Sequence, residues 1–226
     1  METSTAAGAS LRERYRLLGR DAILDAAGTL FLQQGYRKTT MSAIADSAHV
    51  GVATVFRHFK SKEGVLAALS QRDIDQILAG AERAITPPPA DPAQGVMKLL
   101  SAILLMHLTP STKIRGQTRL WLLIPTGHPE TDEVVTSSDR RLQTMIHDLL
   151  AHYRRQGLLH KGLDLKDTTI AIFAVFYHHY LMIGVNRTLK IADIEGDLAR
   201  RITLLFQPWS TQPVPGRPPR PRRAAR

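Results

Sequence analysis

The amino-acid sequence predicts an all-α fold. Apolar residues recur at helical spacing in one segment after another, and no stretch alternates apolar and polar residues over a useful strand length. Proline and glycine separate these segments, most clearly where Pro87, Pro88 and Pro89 follow one another. No internal repeat is present. The pattern therefore predicts packed layers of helices.

The first 19 residues are expected to form a flexible basic arm. They are small and polar up to about residue 10 and then carry Arg12, Arg14 and Arg16. Ser10 and Glu13 form a capping-box pattern, which allows a helical turn within the arm.

The first firm helix is predicted from about Arg20 to Gln34. Gly35 is placed to end it. Its apolar stripe gives smaller helices a face to pack on. The stripe consists of Ile23, Leu24, Ala27, Leu30 and Phe31.

Two short helices joined by a tight turn follow this first helix. Thr40 fits the N-cap of the first, because its hydroxyl can accept a hydrogen bond from an unpartnered backbone N–H. A break at residues 49–51 precedes the second helix, residues 52–59. Such a pair is a helix-turn-helix, whose second helix can lie in the major groove of DNA.

A further helix is predicted to begin after Ser61, which fits its N-cap. Lys60 and Lys62 flank this start. Exposed N–H groups, a partial positive helix end and two ammonium groups would converge there, so the geometry suits a phosphate.

Residues 20–69 contain a series of short motifs in a characteristic order and spacing. The motifs are Ile23-Leu24-Asp25-Ala26-Ala27, Leu30-Phe31, Gly35-Tyr36, Thr39-Thr40, Ile44-Ala45, Thr54-Val55-Phe56-Arg57-His58-Phe59 and Ser61-Lys62-Glu63. In these motifs the segment resembles the DNA-binding domain of the TetR family of transcriptional regulators, and the resemblance covers about fifty residues. We call residues 20–69 the head and residues 70–206, the expected ligand-binding and dimerisation domain, the body.

The second helix of the pair and its surroundings supply the candidate DNA contacts. Small apolar residues at its start suit thymine methyl groups, and no Arg, Asn or Gln stands at this tip. The resemblance places Thr54, Phe56, His58 and Lys62 at positions that commonly contact DNA. Phe56 replaces the usual tyrosine and His49 the usual glycine of the turn. The full candidate set is Thr40, Ser42, Val52, Ala53, Thr54, Phe56, His58, Lys60 and Lys62.

The body is predicted to contain several long helices. Asp164 is a plausible N-cap, and Gly157 is placed to end the helix before it. The segments with helical spacing are 61–85, 92–108, 111–124, 130–156, 164–188 and 191–206.

The helix over residues 168–185 is apolar nearly all round, so it needs burial on every side. The resemblance implies that the last two long helices pair with their twins, which predicts a homodimer on a palindromic operator in double-stranded DNA. The alternative is a central core helix in a monomer.

The resemblance also implies a small-molecule effector site in the body. Apolar and aromatic walls with a few polar tips are typical of such a site, and equally of an ordinary helical core. A metal site is not expected, because neither His178 and His179 nor His147 and His152 have the i, i+4 spacing. The candidate lining residues are Met106, His107, Trp121, Phe173, Tyr177 and His178.

The net charge of +10 lies at the two ends of the chain. Residues 1–62 carry nine Lys and Arg against five Asp and Glu, and residues 63–206 carry 16 against 15. Residues 207–226 carry five Arg and no acid, and their proline content predicts a disordered tail. A basic end on a neutral body suits a polyanion-binding module.

The chain has no cysteine and no apolar run of about 18 residues. A cytoplasmic protein without a membrane partner is therefore expected. The leading hypothesis is a ligand-responsive transcriptional regulator, expected to be a repressor, with no cofactor. A constitutive DNA-binding protein and a helical enzyme are the alternatives, although phosphate-loop, G-x-S-x-G, H-E-x-x-H and cysteine-nucleophile motifs are all missing.

Overall fold

The all-α prediction is confirmed. The computed structural model describes the backbone of residues 3–108, 128–185 and 191–210. Within these ranges, side chains are described except at residues 3–16, 106–108, 183–185 and 191. The described chain contains eight α-helices and no β-strand.

The helices follow the sequence pattern closely. The predicted segments 92–108 and 191–206 have the observed bounds, whereas the predicted segment 111–124 lies outside the described residues. In chain order the observed helices are α1 (Thr3–Gln34), α2 (Met41–Ser47), α3 (Val52–Phe59), α4 (Lys62–Ala84), α5 (Pro92–Leu108), α6 (Pro129–Arg155), α7 (Leu165–Val185) and α8 (Ile191–Phe206).

Helix α1 is longer than the sequence pattern predicts. It begins at Thr3 instead of near Arg20, so residues 3–19 are helical, whereas the sequence predicts a flexible arm there. Helix α1 contains three glycines, Gly8, Gly19 and Gly28, each of which costs a helix interior only about 1 kcal/mol, and it contains no proline to stop it. Gly35, with φ of 85°, ends the helix as predicted.

The head has its own small core. Helix α1 supplies the largest part of it, and α2, α3 and the first two turns of α4 pack on its apolar stripe. The fully or almost fully buried members include Ile23, Leu24, Phe31, Ile44, Val55, Phe59, Leu66 and Leu69.

The body core is formed by α4 to α8, which pack around one buried cluster. Tyr153 of α6 lies against Gly95 of α5, where an added Cβ would overlap the tyrosine hydroxyl. The Tyr153 hydroxyl donates to the carbonyl oxygen of Pro89 at 2.8 Å. Burial raises the pKa of Tyr153 to about 12. None of the described helices is long and apolar enough to cross a membrane.

The chain after α8 is ordered for four residues beyond the predicted boundary. The sequence predicts a disordered tail from residue 207, but Trp209 packs against the body core and its carbonyl oxygen accepts from the backbone N–H of His160 at 3.0 Å. An aromatic side chain beside an apolar surface explains the difference. Residues 211–226 lie outside the described residues.

Candidate nucleic-acid interface

The turn between α2 and α3 has the geometry of a helix-turn-helix. Thr40 caps α2 as predicted, because its hydroxyl accepts from the backbone N–H of Ala43 at 3.1 Å. His49 lies in the left-handed region with φ of 55°, the conformation for which glycine is usual. The N–H of Val50 then returns to the carbonyl of Ala45 at 3.0 Å. This hydrogen bond closes the tight turn between α2 and α3.

Helix α3 has one buried and one exposed face. Val55 and Phe59 are buried in the head core. Val52 and Phe56 are 37% and 46% exposed, which is unusual for large apolar side chains, and Ala53 is exposed between them. The predicted base-facing residues thus form one outward surface, with Thr54 half-buried at its side.

Arg57 is a candidate that the sequence analysis missed. It is exposed and follows Ala53 by one helical turn, so both lie on the outward face of α3. Its i, i+4 spacing from Ala53 is the sequence signal for this position, but the predicted base-facing residues are Val52, Ala53 and Thr54, with Phe56 nearby. An Arg on this face can bind a phosphate or, bidentately, a guanine edge.

The predicted phosphate-contacting residues lie around this face. Lys60 is exposed and has φ of 56°, and its N–H caps α3 by donating to the Phe56 carbonyl at 2.9 Å. Ser42 is exposed in the first turn of α2. His58 is half-buried, with its ring centroid 5.9 Å from that of Phe59.

Lys62 is held by the head itself. Its ammonium donates to the carbonyl oxygens of Tyr36 and Thr39, both at 3.0 Å, and lies 4.4 Å from the centre of the Tyr36 ring. Two of its three N–H donors are therefore satisfied within the protein. Lys62 thus ties the start of α4 to the α1–α2 loop, in addition to its predicted contact with DNA.

Glu63 and Tyr36 complete this cluster. The Tyr36 hydroxyl donates to Glu63 Oε1 at 2.7 Å, and this hydrogen bond is the main reason why the pKa of Glu63 is lowered. Burial, followed by the neighbouring Glu63, raises the pKa of Tyr36 well above its ordinary value. Ser61 caps α4 as predicted, accepting from the N–H of Gly64 at 2.9 Å.

The structure brings together only part of the predicted effector site. Phe173 and Tyr177 of α7 stack with ring centroids 5.7 Å apart. His178 is exposed on a different side of the same helix. Met106, His107 and Trp121 lie outside the described side chains.

The buried histidine of α7 is His179, which the sequence analysis considered only as a metal ligand. Its Nδ1 lies 2.7 Å from the carbonyl oxygen of Val175, and its Nε2 lies 3.0 Å from a carboxylate oxygen of Asp197 in α8. Hydrogen bonds from Arg201 first, and then from His179 and Arg200, hold the pKa of Asp197 well below its usual range. His179 therefore joins α7 to α8.

Comparison with known proteins assigns the class. Residues 23–69 match the family model for bacterial regulatory proteins of the tetR family. The HTH-type transcriptional regulator SrpR of Pseudomonas putida is 32% identical over 160 residues, which cover 68% of this chain and 69% of SrpR. The HTH-type transcriptional regulator YvkB of Bacillus subtilis is 26% identical over 166 residues, which cover 72% of this chain and 82% of YvkB.

A solved structure has the same fold. The SmeT–triclosan complex superposes with a TM-score of 0.69 at 24% identity, covering 90% of this chain and 98% of SmeT. The fold and these relatives define a class of transcriptional regulators with an N-terminal helix-turn-helix, not of enzymes. The chain belongs to the TetR family.

Proposed function

We propose that this regulator binds a palindromic operator as a homodimer, acts as a repressor, and is released by a small apolar or aromatic effector. The exposed apolar face of α3, flanked by cationic side chains, is the observation that carries this proposal. In the same proposal the head spans residues 20–69 and the body residues 70–206. Residues 1–19 form an N-terminal extension, and a basic tail begins after Ser210.

The outward face of α3 supports direct contact with bases. Val52, Ala53 and Phe56 offer apolar surface that complements thymine methyl groups, and the Thr54 hydroxyl can donate or accept at a base edge. A water-exposed apolar face on a small helix is costly unless a partner covers it. We therefore assign this face to the floor of the major groove.

Phosphate contacts are assigned to the groups around that face. Lys60 and Arg57 are exposed cations at the end of α3, and Thr40 and Ser42 stand at the start of α2. His58 and the remaining N–H of Lys62 complete the set. Contacts of this type orient the protein on the duplex and supply most of the salt-dependent affinity.

The homodimer is supported by an uncovered stripe on α7. Ile170, Ala174, His178 and Met182 are all exposed and follow one another at a spacing of four residues, so they form a line along one side of the helix. A two-fold axis beside this line would cover it with the same line of a second subunit. His178 is thereby assigned to the dimer surface instead of the effector site.

The effector is proposed to contact the aromatic side of α7. Phe173 and Tyr177 are half-buried and stacked, which suits an aromatic and largely apolar molecule. The fold is shared with SmeT, whose structure contains triclosan, a molecule of that chemical type. Met106, His107 and Trp121 remain candidates for the same site.

The proposal is tested by selecting operator sequences from random DNA and measuring affinity by fluorescence anisotropy at two salt concentrations. We expect a palindrome with half-sites about 34 Å apart, or a multiple of that distance. Lys60→Ala should weaken binding to all sequences. It should also reduce the slope of log K against log salt concentration by about 1 for each phosphate that the lysine neutralises. Thr54→Ala should instead change the preferred sequence.

Lys161→Ala is the matched control, because Lys161 is exposed in the loop between α6 and α7, outside the head. If Lys161→Ala and Lys60→Ala weaken binding equally, the head does not bind DNA in the proposed way. Triclosan is the first effector probe, and apolar and aromatic compounds of similar size follow. Operator binding that no probe in this set weakens would favour a constitutive DNA-binding protein.

A further inference from the structure

The first turn of α6 lies directly against the first turn of α4. Gly64 is buried at this point, and a Cβ added to it would come within 2.8 Å of Oε2 of Glu130. His128, which precedes α6, is close enough to lower the pKa of Glu63 slightly, after the larger effect of the Tyr36 hydrogen bond. A body helix thus contacts the head at the turn that begins with Lys62.

The two helices run parallel from this contact. Asp75 of α4 forms an ion pair with Arg141 of α6, and Gly64 and Glu130 precede them by the same eleven residues. Eleven residues are about three helical turns, so both contacts lie on the same face of each helix. Helix α4 is also tied to the head, because Arg72 pairs with Asp25 of α1 at 3.0 Å.

The contact at Gly64 is one residue from the cluster that orders the DNA-binding loop. Glu63 accepts from the Tyr36 hydroxyl, and Lys62 donates to the carbonyl of Thr39. Thr39 is buried and immediately precedes Thr40, the N-cap of α2. A shift of the first turn of α4 would therefore move Lys62 and the start of α2 together.

A carboxylate is a suitable group for this position. The first turn of a helix carries a partial positive charge, which favours a nearby anion. Glu130 of the body places a negative charge beside the first turn of α4. The carboxylate within that turn, Glu63, already accepts a hydrogen bond from the Tyr36 hydroxyl.

We propose that Glu130 is a positioning residue for DNA binding, which fixes the first turn of α4 so that the Lys62 cluster is ordered for the operator. The inference rests on the proposed operator binding. It identifies the contact between Glu130 and Gly64 as one through which the body affects the head. Glu130 itself does not contact DNA in this proposal.

The test compares Glu130→Ala with Glu130→Gln in the full chain. We expect Glu130→Ala to weaken binding to the selected operator by about two- to thirtyfold, the range found for residues that couple sites without contacting the ligand. Glu130→Gln, which keeps the packing on Gly64, should recover part of this loss. Hydrogen exchange of the DNA-free protein should become faster at residues 36–42 and 61–65 in Glu130→Ala.

Glu133→Ala is the matched control, since Glu133 is an exposed carboxylate one turn along α6. Equal effects of Glu130→Ala and Glu133→Ala would show that operator affinity depends only on the net charge of the protein, and this result would overturn the proposal. Unchanged exchange at residues 36–42 and 61–65, or tighter operator binding by Glu130→Ala, would also overturn it. Failure of the wild-type chain to select an operator would contradict the proposed function instead. The hydrogen-exchange experiment would still test the effect of Glu130 on the Lys62 cluster, because it needs no DNA.

Discussion

Lys62 shows how a single side chain can have a structural and a functional assignment at once. The sequence predicts it as a phosphate contact, and the structure places its ammonium on two carbonyl oxygens of the α1–α2 loop. A substitution at Lys62 would therefore alter the loop as well as any contact with DNA. Lys60, whose side chain is exposed, separates the two effects more cleanly.

The hydrogen bond from Tyr36 to Glu63 makes the head sensitive to acid. Because the pKa of Glu63 is lowered in the folded state, its ionised form contributes stability above its ordinary pKa of about 4.5, and this contribution is lost as the pH falls further. We predict that Tyr36→Phe lowers stability at pH 7 and makes stability fall less steeply below pH 4.5. Urea unfolding between pH 7 and pH 3 measures both effects.

A control for that experiment is Tyr177→Phe, which also removes one phenol hydroxyl but lies in α7 of the body. Its pH dependence should match that of the wild type. A Tyr36→Phe variant that loses stability with acid as steeply as the wild type would contradict the role given to this hydrogen bond.

At the scale of the elements, hydroxyl caps fix the start of the short helix α2 and the start of α4, whereas α3 has no side-chain cap. Helix α2 has seven residues and α3 eight, which is too short for either to be stable alone. Thr40 and Ser61 each satisfy an N–H group at a helix start. The sequence contained both signals, and both predictions are confirmed.

We predict that Thr40→Ala and Ser61→Ala each destabilise the chain by about 1 kcal/mol, the usual cost of losing an N-cap. Thr40→Ser, which keeps the hydroxyl, should lose much less. Chemical denaturation followed by far-UV circular dichroism measures the difference. Equal losses for Thr40→Ser and Thr40→Ala would show that the cap is not what stabilises α2.

The two faces of α7 connect the element scale to the whole molecule. Ile172 and Phe176 are buried in the body core, and His179 joins them on that side through its contact with Asp197. The opposite line through Ile170 and Met182 stays exposed in the single chain. An apolar helix with one covered side is the expected form of a subunit that associates with its twin.

For the whole molecule, we predict that Ile170→Glu converts the proposed dimer to a monomer and abolishes cooperative operator binding. A carboxylate in this line would be buried in an apolar interface without a partner, and its desolvation opposes association. Sedimentation velocity measures the mass. Gln156→Glu adds the same charge at an exposed position after α6 and should remain dimeric. A wild-type chain that sediments as a monomer at micromolar concentration would contradict the dimer.

The sequence by itself determined the fold class and the position of the helix-turn-helix. Both follow from local features: helical spacing of apolar residues, hydroxyl caps at Thr40 and Ser61, and a break in the helical pattern at residues 49–51. Such signals act over a few residues, so they can be recognised along the chain. The family motifs in residues 20–69 extended this prediction to the class of protein.

Only the tertiary structure decided which polar side chains meet. The ammonium of Lys62 lies on the loop before α2, His179 reaches Asp197 in the next helix, and Glu130 packs on Gly64 from the body. These partners are separated by between 18 and 66 residues, and their contact depends on how the helices pack. Helical spacing specifies a face of each helix but not the neighbour that the face meets.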